Sequence, residues 1–223
     1  MLIVKELGKT FLRKAALDNV SFSIAKGEVV GLVGPNGSGK TTLLNILMSV
    51  FDASSGLFQI PTGTKVGMAV SRMGFFNDMS VKNNIFLYAK LQGVEEAHAL
   101  RVMNEFMIDF AGKQFGKLSA GMKQRVSLTI PFLRRNDLIL LDEPSNHLDI
   151  DSILLLRKKI LELKESGTAF LITSHVFSDL EKICTRILFL SGGKIFADRS
   201  TSELLQEFGT LEQAYTQQRD LFQ

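Results

Sequence analysis

The sequence predicts an α/β fold built on a parallel sheet, with a helical subdomain inserted into it. Three observations carry this. The apolar runs Val29-Val30-Gly31-Leu32-Val33, Leu138-Ile139-Leu140-Leu141 and Ala169-Phe170-Leu171-Ile172-Thr173 have the continuous hydrophobicity of strands covered on both faces. Helical stretches separate them, and strands alternating with helices are the pattern of a parallel sheet. Between about Ser71 and Arg135 the strand-like runs disappear and helical stretches follow one another instead. The chain has 223 residues, enough to bury a substantial core without disulfides, and 45% hydrophobic with 22% charged residues is an ordinary globular balance.

Taken in order, residues 22–24 and 28–33 read as strands. A glycine-rich segment follows, and then residues 41–48 have helical spacing. The α/β core is expected over 1–71 and 136–223, and the helical subdomain over 72–135. Within that insertion helices are expected at 81–91, 95–110 and 119–134, the last kinked or ended by Pro131, which has no N–H to give. After the run at 138–141, Ile153, Leu156, Ile160 and Leu163 recur at 3, 4, 3 spacing and mark an amphipathic helix whose Arg157, Lys158 and Lys159 are solvated. The strand at 169–173 comes next. Ser191-Gly192-Gly193-Lys194 reads as a turn between two short strands, and residues 201–208 as a capped helix. Residues 210–223 fit a docked helix, a regulatory arm or a disordered end.

Several classes of function are excluded at this level. No apolar stretch approaches the roughly 20 residues that span a bilayer, although mean hydropathy is slightly high at +0.15. Lys5 and Glu6 follow Met1-Leu2-Ile3-Val4 at once, which is not the pattern of a signal peptide, so a cytoplasmic location is expected. Cys184 has no cysteine partner for a disulfide or a zinc site and reads as a buried thiol. A net charge of +3, with basic and acidic residues interspersed, does not suggest a nucleic-acid partner.

Gly34-Pro35-Asn36-Gly37-Ser38-Gly39-Lys40-Thr41 has the spacing of a phosphate-binding loop and sits between a strand and a helix, as that chemistry requires. Its glycines let successive N–H groups turn inward onto phosphate oxygens, and the helix that follows adds positive partial charge at its N-terminus. Lys40 is expected to reach the β and γ phosphates. The hydroxyl of Thr41 is a hard ligand suited to Mg²⁺.

Asp142 and Glu143 end the run at 138–141, at the carboxyl edge where open α/β sheets bind ligands. Alternation along the extended strand is expected to send them in different directions, so that one can hold the Mg²⁺ shell and the other can face an attacking water. Asp142 is assigned to Mg²⁺ and Glu143 to the attacking water as a general base. His175 follows the strand at 169–173 in the same way and is placed to bond a γ-phosphate or to hold the water with Glu143. His98 and His147 have weaker claims.

With these residues placed, the sequence resembles the nucleotide-binding subunits of the ATP-binding cassette (ABC) family. The distinguishing segment is Leu118-Ser119-Ala120-Gly121-Met122-Lys123-Gln124-Arg125, which resembles that family's signature loop. Phe11 resembles the aromatic that stacks on adenine, the segment from Gly34 to Thr42 the Walker A loop, Asp142-Glu143-Pro144 the Walker B end, the segment from Ser145 to Asp149 the D-loop, and His175 the switch histidine. The resemblance implies a P-loop NTPase core of the RecA-like kind with an antiparallel β portion at its N-terminal end. It also implies Mg-dependent ATP hydrolysis by a head-to-tail homodimer. The nucleotide would contact Phe11, Gly34, Asn36, Gly37, Ser38, Gly39, Lys40, Thr41 and Thr42, together with Ser119 and Gly121 of the facing subunit.

The sequence departs from the family in two places. Where the family has Gln at the entry to the helical subdomain, touching Mg²⁺, this chain offers Ser71, which could ligate only through a water; altered hydrolysis or coupling is expected. Ala120 and Met122 replace Gly and Gln of the commonest signature. The implied function is an ATPase subunit powering a separate integral membrane transporter, exporter-like by its signature, at the inner face of the membrane. The competing expectation is a soluble cassette acting on nucleic acid or ribosomes, but such relatives carry two cassettes or long coiled-coil arms, and this chain has neither. A phosphate-loop GTPase or kinase is disfavoured because no Asn-Lys-x-Asp motif is present.

Overall fold

A computed structural model describes residues 1–12, 14–70 and 73–222. Strands β1 (Leu2–Phe11) and β2 (Lys14–Ile24) form an antiparallel pair, and β3 (Val29–Val33) then enters the interior. Helix α1 (Lys40–Leu47) follows the glycine-rich loop, then β4 (Ser55–Gln59) and β5 (Val66–Ala69). Next come α2 (Val81–Leu91), α3 (Glu96–Glu105) and α4 (Ala120–Thr129). The chain returns to β6 (Leu138–Asp142), α5 (Ile150–Glu165), β7 (Ala169–Ser174) and α6 (Phe177–Ile183). It closes with β8 (Arg186–Ser191), β9 (Lys194–Ser200), α7 (Thr201–Phe208) and α8 (Leu211–Phe222).

Two sheets result. The antiparallel one has the order β2-β1-β4, and the larger one β5-β6-β7-β3-β8-β9. In the larger sheet all neighbours are parallel except β8 and β9. Alternation along its central strands divides the core. Val29, Ile139, Leu141, Phe170, Ile172 and Phe189 face the helices. Val30, Leu32, Leu138, Leu140, Leu171 and Leu188 face α1 and the antiparallel sheet. Both faces are therefore covered, which is why these strands read as unbroken apolar runs.

The expected fold class holds: a parallel α/β sheet, an antiparallel N-terminal portion, and a run of helices between β5 and β6. Some boundaries differ, each for a local reason. The strand expected at 22–24 reaches back to Lys14, because left-handed Asn19 (φ 54°) and shifts of pairing register break the two-residue alternation. Residues 106–110 leave the helix expected there, turning at Met107 (φ 54°). They still bury Phe106 and Phe110, which continue the 3- and 4-residue spacing of Val102 and Met103, so the apolar pattern imitates a longer helix. Helix α4 ends at Thr129 and tightens into a 3-10 turn, Ile130–Phe132, around Pro131. The tail is a docked helix. Leu211 and Ala214 of α8 are fully buried, and Tyr215 meets Phe189 edge-on at 5.4 Å between ring centres.

Candidate nucleotide-binding site

Sheet order creates the site. Strands β6, β7 and β3 are neighbours, and their register pairs Asp142 with Thr173 and Val33 with Ser174. Three loops that are far apart in sequence thus emerge side by side: the glycine loop after β3, the acids after β6, and His175 after β7. A cavity of about 430 Å³ opens at this edge, lined by Asn36, Gly37, Gly39, Lys40, Thr41 and Thr42 on one side and by Asp142, Glu143 and Asn146 on the other.

The loop around Lys40 is shaped for an anion. Helix α1 starts from Gly39 at φ 113°, and no side chain caps its first turn. The N–H groups of that turn have no intrahelical partners, so they present positive partial charge to the cavity. Gly39 must lack a side chain, since a Cβ there would lie 2.6 Å from the carbonyl oxygen of Ala16. Gly34 and Ser38 sit beneath the surface; the Ser38 hydroxyl is buried with no hydrogen-bond partner among the described residues. Lys40 is buried, and its Nζ donates to the carbonyls of Gly34 (2.7 Å) and Pro35 (3.2 Å). Burial pulls its ammonium below the ordinary lysine value, while the charges of Glu143 and Asp142 act in the opposite sense.

The acids are arranged by β7. Thr173 is fully buried; its hydroxyl donates to Asp142 Oδ1 at 2.7 Å and accepts the N–H of Glu143 at 3.0 Å. A carboxylate can only accept, so the single hydroxyl proton of Thr173 goes to Asp142. Glu143 does not continue the strand alternation expected for it. Its φ of 48° turns the backbone out of β6, at a cost of order 1–3 kcal/mol that surrounding bonds must offset. Its side chain meets His175: Nδ1 lies 2.7 Å and the backbone N–H 3.3 Å from the same oxygen, Oε2. Glu143 Oε1 has no hydrogen-bond partner among the described residues and is free for a water.

The cation chemistry fits. Among the described residues no group of three or more His, Cys, Asp or Glu is placed to hold a metal ion by itself, so this is not an all-protein cage. Thr41 and Asp142, lining one cavity, offer a hydroxyl and a carboxylate, the sparse hard-oxygen set that Mg²⁺ takes together with substrate phosphates. Ser71, the third expected ligand, lies outside the described residues.

The remaining expected residues stand elsewhere. Phe11 is exposed at the end of β1, its ring edge-on to Phe51 at 5.5 Å with the Lys9 ammonium 5.0 Å away, and it does not line the phosphate cavity. Ser119 caps α4 by accepting the Met122 N–H at 3.3 Å. Neither Ser119 nor Gly121 lines the cavity of Lys40. Gly121 has its own constraint, because a side chain there would collide with the His147 carbonyl.

The sequence assigns no role to Thr173, and it offers Gln124 only as part of the signature segment, with no sign that its amide bonds the carbonyls of Glu143 and Pro144. A signal for Thr173 was present: a hydroxyl at the end of a buried apolar run must find a partner.

Residues 17–146 match the model of the ABC transporter family. The lantibiotic transport ATP-binding protein SrtF of Streptococcus pyogenes is 32% identical over 217 residues, covering 93% of this chain and 95% of that protein. The Nod factor export ATP-binding protein I of Burkholderia pseudomallei is 29% identical over 218 residues, covering 91% and 71%. Among solved structures, an ATP-binding subunit of an ABC transporter superposes with a TM-score of 0.89 at 24% identity, over 98% of this chain and 99% of that one. A dimeric ATP-binding cassette bound to ADP and Pi after hydrolysis gives 0.80 at 23% identity, over 90% and 99%. A matching family model over more than half the chain and a relative of this identity over nearly its full length have one meaning: the chain belongs to the ABC transporter family, as a nucleotide-binding subunit.

Proposed function

We propose that this subunit hydrolyses ATP to drive a membrane exporter, two copies closing head to tail on two nucleotides. The observation that carries the reading is the division of the site. Lys40, Thr41, Asp142 and Glu143 share one cavity, whereas Ser119, which caps the N-terminus of α4, and Gly121 in its first turn do not line it. A facing copy completes both sites. The matched cassette's description as a dimer supports this, and the names of the lantibiotic-transport and Nod-factor-export relatives support export.

In this reading the glycine loop and the α1 N-terminus hold the phosphates, Lys40 turns from the Gly34 carbonyl to the β and γ phosphates, and Phe11 stacks on adenine. Thr41 and Asp142 would hold Mg²⁺, which neutralises charge on the phosphate oxygens. Glu143 orients a water through Oε1 and accepts its proton. His175 fixes the carboxylate by donating from Nδ1. Serine and backbone donors of the partner stabilise charge developing at the γ-phosphate.

The same reading treats residues 1–71 and 136–223 as a core and 72–135 as a helical subdomain. Between them lies a largely apolar cavity of about 850 Å³, walled by Met48, Val50, Phe51 and Met68 and by Tyr88 and Ile130, with Thr41 and Asp142 at its floor. A segment of an integral membrane subunit seated there would reach the nucleotide machinery directly, and the chain would then work at the cytoplasmic face of the membrane, where the ATP is. No described helix is itself long and apolar enough to cross a membrane.

The test is Glu143→Gln. The variant should bind ATP, turn over slowly and elute as a dimer with ATP and a monomer without it. Rapid turnover, or no ATP-dependent dimer, would refute the reading.

A further inference from the structure

Glu143 is held from both sides of the molecule. On the core side, the hydroxyl and carbonyl of Thr173 accept its N–H at 3.0 and 3.1 Å. On the other side, Gln124 Nε2 donates to the Glu143 carbonyl at 3.4 Å and to the Pro144 carbonyl at 3.1 Å. Two carbonyl acceptors require the amide nitrogen, not its oxygen, to face them. A primary amide has one hydrogen for each, so the bond pair exhausts what Gln124 can donate.

Gln124 belongs to α4, and α4 is fastened to the segment that follows α3. The next residue, Arg125, donates to the Met107 carbonyl at 3.3 Å and lies 5.1 Å from the Phe110 ring centre. Adjacent side chains of one helix thus grip the helical subdomain and the loop that carries Glu143. Between α4 and that loop is a cavity of about 320 Å³, lined by Ala120, Lys123, Gln124, Glu143, Asn146 and His147. Gly121 of α4 lies against the His147 carbonyl beside this gap, and Gln124 spans the gap to the Glu143 and Pro144 carbonyls. Glu143 needs such restraint, because its backbone is in the left-handed region at φ 48°.

We infer that Gln124 is a positioning residue for Glu143 of its own subunit, making the placement of the general base depend on how the helical subdomain is seated. The inference rests on the proposed role of Glu143. One helix then acts at two places. Its N-terminus at Ser119 is offered to the facing copy, and Gln124, five residues on and about 7.5 Å along the axis, restrains the base of its own site. Any load that tilts α4, from the facing copy or from a segment seated between the subdomains, shifts the Glu143 carbonyl without touching nucleotide.

Three substitutions separate this from a packing role. Gln124→Met keeps shape and loses the donor, Gln124→Glu sets a charged acceptor against two carbonyls, and Gln124→Lys restores a donor. With the purified chain and MgATP, kcat should fall roughly tenfold in Gln124→Met, the loss of a pair of modest hydrogen bonds. It should fall further in Gln124→Glu and recover at least partly in Gln124→Lys. KM and directly measured ATP binding should stay within about twofold in all three, because only a transition-state contribution is removed. Wild-type kcat in Gln124→Met, or equal losses in Gln124→Lys and Gln124→Glu, would overturn the inference. If Gln124→Met does not fold, the comparison of Lys with Glu decides alone. Should Glu143→Gln retain rapid turnover, the reading of Glu143 itself is wrong. A slow Glu143→Gln beside a fully active Gln124→Met removes only the role given to Gln124.

Discussion

Nδ1 of His175 lies 2.7 Å from Oε2 of Glu143, across a gap of 32 residues in sequence. The backbone N–H of His175 points at the same oxygen. One carboxylate oxygen is thus tied to the end of β7 while the other stays open to the cavity. Replacing His175 with Ala should lower kcat while leaving ATP affinity nearly unchanged, since the backbone N–H still holds Oε2 in part. Glu143→Gln should cost more, roughly 10²–10⁴-fold, the usual contribution of a positioned acid or base. Single-turnover hydrolysis beside equilibrium ATP binding gives both quantities.

Thr173→Val keeps the β-branched shape of a fully buried residue but removes the proton given to Asp142 and the acceptor for the Glu143 N–H. Stability should drop by about 1–3 kcal/mol, the cost of leaving buried polar groups unsatisfied, and kcat should fall with it. Thr173→Ser keeps the hydroxyl and should recover most of the activity. Denaturant titration with steady-state ATPase assays resolves the two effects.

Gly39→Ala should abolish nucleotide binding. The position has φ 113°, and a Cβ would stand 2.6 Å from the Ala16 carbonyl and 2.8 Å from Leu17 Cδ2. Either β2 or the glycine loop must shift, and the loop's N–H groups lose their aim. Calorimetric titration with MgATP should show no heat of binding, while circular dichroism shows an intact fold.

Val50 is exposed at the wall of the cavity between core and helices. Val50→Asp places a charge on that apolar wall, which Lys40, Glu143 and His175 do not line. Basal ATPase should be unchanged, and stimulation by the membrane subunit should be lost because docking would bury an unpaired carboxylate. Comparing ATPase with and without the reconstituted partner checks this.

Cys184 packs against the central sheet and is buried, and that burial pushes its thiol well above the ordinary value. Thiolate is the reactive form, so at neutral pH the folded protein should resist an aromatic disulfide reagent. It should release one equivalent of thiolate on denaturation, read by absorbance.

Much of the fold was legible because its signals are local. Continuous apolar runs at β3, β6 and β7 follow from burial on both faces, and the capped helix α7 is confirmed by a capping box between Ser200 and Glu203. Other features were not local. The β1–β2 hairpin hides behind bulges at Glu6 and Asn19, both left-handed, so its alternation fails. Phe106 and Phe110 prolong the apolar spacing of α3 beyond its end because tertiary packing buries them without a helix. The tail was ambiguous until Leu211, Ala214 and Tyr215 found the helical face of the sheet.

For the site, the sequence alone determined which chemical groups exist and which strand or helix end carries them: the glycine loop before Lys40, the acids Asp142 and Glu143, the cap at Ser119, and His175. Spacing dictates these, because a backbone turn or a helix start needs particular residues within a few positions. Only the tertiary structure decided their distances. Strand order set β6, β7 and β3 side by side, and register put Thr173 opposite Asp142. The turn at Glu143 into positive φ redirected a carboxylate that strand alternation had pointed elsewhere. These are pairings between residues tens of positions apart, fixed by which faces must be buried together, and no local pattern encodes them.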